Sequence, residues 1–398
     1  MLRELQSQAF LNNPAPTIAK MREQGPLVPV KIPILGKIWL TTTQAAAAHV
    51  LKDDKNFTMR KAGGKVVGLS WWMPRMLTRL TSNMLSADEP DHKRLRGFVD
   101  QAFHRREVLS LDNSVESLAN EYARDLFNQN TETDLMTGFA RKLPLAVICE
   151  LLGLPKEDWP KFMNWASGIT TVTGVVSFLF GINKLKPLTK YIEDRIKLAN
   201  VESGSGLLQD LVDLNKEDPQ MTDDELVAMV FLLLLAGHET TTHLISGSML
   251  EFFRNPEQLE KLKADRGLMD LAVEECLRFV SPVQGSKPRY VQTDCEIEGV
   301  KVSKGEVIMP FLVAANFDPT VFNAPERFDI TRKPNRHIEF GAGIHFCLGH
   351  QLARLEMKHA LNALLTTYPD IKPAVPIADI RWIERFGMRS LQALPVKA

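Results

Sequence analysis

The sequence predicts a mainly α-helical fold with a small β-sheet region, and two patterns carry that expectation. Apolar residues recur at three- and four-residue intervals in SVESLANEYARDLFNQ, PLAVICELLGLP, LLQDLVDL, LEKLKAD and LARLEMKHALNALLTTYP, the spacing that lines one face of a helix. Strand-like runs are short and sit in two places. These are GPLVPVKIPILGKIWLTT near the start and CEIEGVKVSKGEVIMPFLVAAN, with its turn glycines, late in the chain. A sheet built from early and late pieces joins both ends of the chain. With no Pro/Gly/Ser linker and no repeat, residues 1–398 are expected to form a single domain.

Composition narrows the function classes. The chain is 44% hydrophobic and 24% charged, an ordinary globular balance at a length that can bury a large core. Its formal net charge is zero, so no global field points to nucleic acid or an acidic membrane. The start, MLRELQSQAFLNNPAP, lacks a signal pattern, and ASGITTVTGVVSFLFGIN is too rich in Gly, Ser and Thr for a membrane span. Cys149, Cys276, Cys295 and Cys347 lie far apart without paired spacing, which suits a reducing compartment and disfavours zinc. The expected location is the cytoplasm.

Two stretches stand out chemically. MTDDELVAMVFLLLLAGHETTTHLISGSMLEFFRNP begins with Thr222 and Glu225, a capping-box pair. Its pattern runs to about Phe253, roughly 45 Å of helix. Val227 to Ala236 are nearly all apolar, so the helix has to cross the protein's middle. Gly237 and Thr240 to Thr242 then make a polar, weakened groove, because a Thr hydroxyl competes for the carbonyl one turn back. A satisfied core kink and a functional groove both fit this stretch. A zinc-peptidase motif does not: His238 and His243 are five apart, roughly 140° around the helix, and cannot share a metal.

The second stretch, FGAGIHFCLGHQLARLEM, sets Cys347 among glycines just ahead of an amphipathic helix. Glycines permit close backbone approach and positive φ, so the loop can wrap a flat ligand. A helix N-terminus favours a thiolate, and such a thiolate suits the axial position of haem iron. Read alone, a lone cysteine in a glycine-rich loop is more often structural.

FGAGIHFCLG resembles the haem-binding signature of the cytochrome P-450 haem-thiolate monooxygenases, and AGHETT resembles their oxygen-activating motif. EECLR supplies the family's Glu-x-x-Arg pair, Glu275 and Arg278, with Arg327 of PERF as the expected third member of a structural cluster. DEPDHKRLRGFVDQAFHRREV is similar to the family's helix over the haem propionates. The motifs follow family order from about residue 85 to 360, and the closing RFGMRS extends the likeness over essentially the whole chain. One departure is NFDP, where Phe317 replaces the arginine that bacterial members often carry.

The resemblance implies a cytochrome P-450 fold, with a long central helix over haem b and a cysteine-ligand loop before the last long helix. It implies Cys347 as the metal ligand, and His92, Arg96, Arg289 and His345 as propionate partners. Ala236, Gly237, Phe340, Gly341 and Gly349 are its further haem-binding positions, with Gly237 leaving room for O2. Thr240 and Glu239 match the alcohol and acid that deliver protons during oxygen activation; His238 and His243 are read as packing or surface residues.

The implied activity is insertion of one oxygen atom from O2 into a C–H bond of a hydrophobic small molecule. Electrons come from NAD(P)H through a separate ferredoxin or flavodoxin, because the chain ends about fifty residues past Cys347. A monomer is expected. Substrate contacts fall on VVGLSWWMPRML, GITTVTGVVSFLFGIN, FLLLLAG and SPVQGS, all strongly apolar. Lys93, Arg94, Arg96, Arg105 and Arg106 face one Asp between His92 and Arg106. That segment is either a docking patch for an acidic electron carrier or a solvated helix end. Two alternatives remain: a peroxygenase driven by H2O2, and a haem-thiolate binding or sensor protein without turnover.

Overall fold

The structure is a computed structural model. It describes the chain except residues 34, 62–74, 107–110, 129–130 and 170–174, and except the side chains of 75–77, 105–106, 163, 166–169 and 175–184. The chain divides into two compact units, one of residues 1–70, 243–350 and 368–398, the other of residues 71–242 and 351–367.

The first unit holds a five-stranded sheet. Leu27–Ile32 and Gly36–Thr41 form an antiparallel hairpin in the register Val28↔Leu40. Val307–Met309 runs parallel to the second hairpin strand, Arg289–Val291 pairs antiparallel with Val307–Met309, and Phe57–Thr58 closes the far edge. The sheet therefore joins early and late segments, as the two strand-like runs predicted. Pro29 is tolerated because Leu27–Ile32 is an edge strand. Leu27, Val50, Phe57, Val291, Val302 and Ile308 pack into one apolar cluster on this sheet. Cys295–Ile297 and Val300–Val302 make a separate two-stranded ribbon, turned by Glu298 and Gly299 at positive φ.

One strand expectation fails. Leu312–Asn316 is a short helix, although it continues the late strand-like run. Pro310 brings no N–H for pairing, and the Phe311 N–H is taken by the Thr41 hydroxyl at 2.9 Å. The Ala-containing LVAAN segment then turns helical.

The second unit is helical. Asp112–Asp125 buries Val115, Leu118, Ala119 and Ala123, a stripe at helical spacing, and packs on Lys142–Leu152. Asp91–Arg106 packs on Leu207–Glu217. The predicted central helix is Asp223–Arg254, whose residues from His243 on belong to the first unit; it is opened by reciprocal bonds from Thr222 N to Glu225 Oε2 (2.9 Å) and from Glu225 N to Thr222 Oγ1 (3.2 Å). Among the described residues it alone is long and apolar enough to cross a membrane, yet 72% of its apolar window is buried inside the protein. His350–Thr367 is the last long helix and follows the cysteine loop.

Candidate active site

The central helix is buried on both flanks and open between them. Phe231 to Leu234 and Thr241 to Leu250 are buried, whereas Ala236 is exposed and Gly237, Glu239 and Thr240 are partly so. Within the window the Thr240 hydroxyl donates to the Ala236 carbonyl at 3.0 Å, and Thr242 likewise to His238 at 2.8 Å. The helix assignment continues unbroken through both bonds. With its hydrogen held this way, Thr240 Oγ1 presents lone pairs outward and accepts from a water or ligand hydroxyl.

A Cβ at Gly237 would meet Ile148 Cδ1 at 3.0 Å, so the missing side chain lets the helix Lys142–Leu152 approach closely. His238 is buried, and its Nδ1 donates to the Leu234 carbonyl at 2.6 Å. Desolvation lowers its pKa and keeps the ring neutral. His243 is also buried and lies 3.4 Å from an Arg385 nitrogen. Both are packing residues, as expected.

The propionate candidates of the second unit lie on Asp91–Arg106, four residues apart and so on one helix face. His92 is buried with Nδ1 3.2 Å from Glu89 Oε1, and Arg96 Nε lies 3.1 Å from Asp100 Oδ1. Arg94 pairs with Glu225 at 2.6 Å. Two of the five cations of this segment are thus already met by carboxylates, and the side chains of Arg105 and Arg106 lie outside the described residues. The same holds for every side chain of VVGLSWWMPRML and GITTVTGVVSFLFGIN.

A residue missed by the sequence reading is Glu356, on His350–Thr367. It is 1% exposed, bonds to Thr241, and burial pushes its carboxyl up to about 8. Its signal was a lone acid four residues after Leu352, on the apolar face of an otherwise regular helix.

In the first unit, Phe340 to Gly349 form the cysteine loop. Gly341 and Gly343 have φ of 73° and 71°, and a Cβ at Gly343 would fall on the Leu51 carbonyl. The Cys347 N–H donates to the Phe340 carbonyl at 2.9 Å. A short 3-10 turn, Gly343–His345, carries His345, and the helix beginning at His350 follows. Cys347 is partly exposed. Arg289, placed by its strand, is 1% exposed and donates to the carbonyls of Val50 (3.1 Å) and Leu51 (3.3 Å).

The charged cluster of the first unit has one member changed. Glu275 and Arg278, both fully buried, form a two-pronged pair at 2.7 and 2.8 Å. The second guanidinium is that of Arg332, 3.1 Å from Glu275, and not that of Arg327. The Arg327 residue is exposed and contributes its backbone carbonyl, which accepts from Arg278 and Arg332 at 3.0 Å each. Asn335 and the Asp329 N–H complete the acceptor sites of Glu275. Phe317 of NFDP packs its ring 5.5 Å from the Arg278 guanidinium, with Phe279 and Phe322 at similar distances.

Sequence and structure comparisons decide the family. A cytochrome P450 family model matches residues 182–375. A cytochrome P450 of Bacillus subtilis (strain 168) is 35% identical over 397 residues, 99% of this chain and 96% of the relative. The chain belongs to the cytochrome P450 family. The polyketide biosynthesis cytochrome P450 PksS of the same organism is 35% identical over 395 residues, 97% of this chain and 96% of that one. The crystal structure of the myxobacterial cytochrome P450 CYP267B1 in complex with myristic acid superposes with a TM-score of 0.91, at 35% identity. It covers 99% of this chain and 98% of that one.

The protein is thus a cytochrome P450 monooxygenase, and membership implies haem, O2 and electrons derived from NAD(P)H. Its own side chains fit haem on two counts. An apolar helix that opens between buried flanks, at Leu235 to Gly237 and at Glu239 and Thr240, leaves a stretch for a flat group to cover. Burial pushes the Cys149 and Cys276 thiols up to about 12 and raises that of Cys295, so these three stay protonated. Cys295 and Cys347 are both partly exposed, and Cys347 is the one that sits in the glycine loop.

Proposed function

We propose that the protein is a haem-thiolate monooxygenase that hydroxylates or epoxidises a hydrophobic small molecule, working as one haem domain over residues 1–398. The observation that carries this reading is that Cys347, alone of the four cysteines, lies partly exposed in a loop of positive-φ glycines just ahead of a long helix. In this reading Cys347 ligates the iron of haem b. His92, Arg96, Arg289 and His345 hold the propionates, and Phe340, Gly341 and Gly349 flank the ring on the cysteine side. Ala236 and the Gly237 backbone face it from the central helix. Bound haem supplies the iron at which O2 is reduced.

The protein's own groups manage protons and water. Thr240 Oγ1, oriented by the Ala236 carbonyl, holds a water or hydroxyl at the open window and turns to donate when a proton is required. Glu239, next to it in the same window, passes protons inward from solvent. The apolar wall Phe231 to Leu234 excludes other water.

A hydrophobic substrate agrees with that wall and with the fatty acid and polyketide named for the relatives. Electrons arrive through a separate ferredoxin or flavodoxin in the cytoplasm, and the protein acts as a monomer. A library of fatty acids, polyketides, steroids and polar metabolites, screened for the Soret shift that reports water leaving the iron, tests the substrate class. Apolar compounds are expected to give the shift and to be oxygenated with label from isotopic O2. Shifts from polar metabolites alone would overturn it.

A further inference from the structure

Three consecutive residues ahead of the cysteine loop are each tied to distant parts of the chain. His337 Nε2 lies 3.0 Å from Glu274 Oε2, and the Ile338 N–H donates to Asn316 Oδ1 at 2.9 Å. Glu339, 7% exposed, accepts three bonds: from Ser281 Oγ (2.5 Å), from the Val283 N–H (3.0 Å) and from Asn316 Nδ2 (3.1 Å). Asn316 Nδ2 also donates to Ser281 Oγ at 2.9 Å, which closes a triangle of side chains. The Asn316 carbonyl accepts from Arg278 at 2.9 Å, so the triangle is anchored on the buried Glu275–Arg278 pair.

An apolar residue at position 339 would fill the same space without the cost of burying a carboxyl. Burial pushes this carboxyl up to about 8 against the pull of its three donors and of Arg389. What the carboxyl adds is a fixed backbone. The next residue, Phe340, provides the carbonyl that accepts the Cys347 N–H at 2.9 Å.

We infer that Glu339 is a positioning residue for the cysteine ligand: through Ser281, Val283 and Asn316 it fixes the strand of chain whose Phe340 carbonyl holds the Cys347 backbone. The inference rests on Cys347 being the iron ligand, as proposed above. Groups beyond the ligand that hold its orientation typically account for about 10–100-fold in metal affinity or activity.

Glu339→Ala, Glu339→Gln and Ser281→Ala test it in the haem-loaded protein. Two readouts are taken: the rate at which the reduced carbon-monoxide complex loses its thiolate-type Soret band, and the reduction potential of the iron. Glu339→Ala should lose the band about tenfold faster or more, with a shifted potential. Glu339→Gln, which keeps the shape and an acceptor for the Val283 N–H, should stay near wild type. Should Glu339→Ala yield no loaded protein, Ser281→Ala decides, with a smaller change in the same direction. Wild-type band lifetime and potential in Glu339→Ala, or in Ser281→Ala when it stands in, would overturn the inference while leaving the ligand assignment intact. A thiolate-type band that survives in Cys347→Ser would overturn both.

Discussion

Thr240 shows how one side chain serves helix and chemistry together. Its hydroxyl bonds the Ala236 carbonyl, so the helix runs on, while its lone pairs stay directed into the one open stretch of a buried element. Removing the hydroxyl should leave haem content and substrate affinity close to wild type and separate electron use from product formation. A positioned proton donor contributes about 10²–10⁴-fold to a step. In Thr240→Ala, product per NADPH should therefore fall and H2O2 should rise to account for the missing electrons. Unchanged coupling in a side-by-side assay of product, NADPH and H2O2 would remove Thr240 from proton delivery.

At the scale of elements, what was legible in the sequence was whatever local chemistry dictates. The capping box of Thr222 and Glu225 placed the start of the central helix, and helical spacing placed the helices around it. The glycine loop at Cys347 was readable because positive φ demands glycine. Long-range partners were not readable. Nothing in PERF distinguishes Arg327 from Arg332; the turn through residues 329–332 decides which guanidinium returns to Glu275. The packing of Gly237 against Ile148, 89 residues away in sequence, was not readable either. Glu339 and Asn316 meet only after folding, so their network left no motif.

The same correction yields a test. Arg332→Ala removes one of two guanidiniums from a fully buried carboxylate that keeps Arg278, and a hydrogen bond to a charged group is worth about 1.5–3 kcal/mol. Arg327→Ala alters an exposed side chain, and such changes usually stay within about 0.5 kcal/mol. Denaturant unfolding of the two variants should rank them in that order. Equal losses would restore Arg327 to the cluster.

For the whole molecule, buried carboxyls set a pH dependence opposite to that of the surface. Glu339 and Glu356 have folded pKa values of about 8 against an ordinary 4.5. Between those values the unfolded chain releases protons that the folded protein keeps, so stability from these groups declines as pH rises from about 4.5 to 8. The depressed carboxylates Asp158, Glu225 and Asp329 act the other way, and their contribution is lost as pH falls through their lowered values. Glu356→Gln should flatten the decline in urea midpoint between pH 5 and 8; an unchanged slope would mean that Glu356 does not titrate in that window. The account as a whole depends on one bond, between Cys347 and iron. The reduced carbon-monoxide spectrum of wild type, Cys347→Ser, Cys149→Ser, Cys276→Ser and Cys295→Ser tests it most directly. The thiolate-type Soret band should be present in wild type and in the three other cysteine variants and absent only from Cys347→Ser. Its survival in Cys347→Ser, or its loss from one of the others with haem retained, would contradict the assignment.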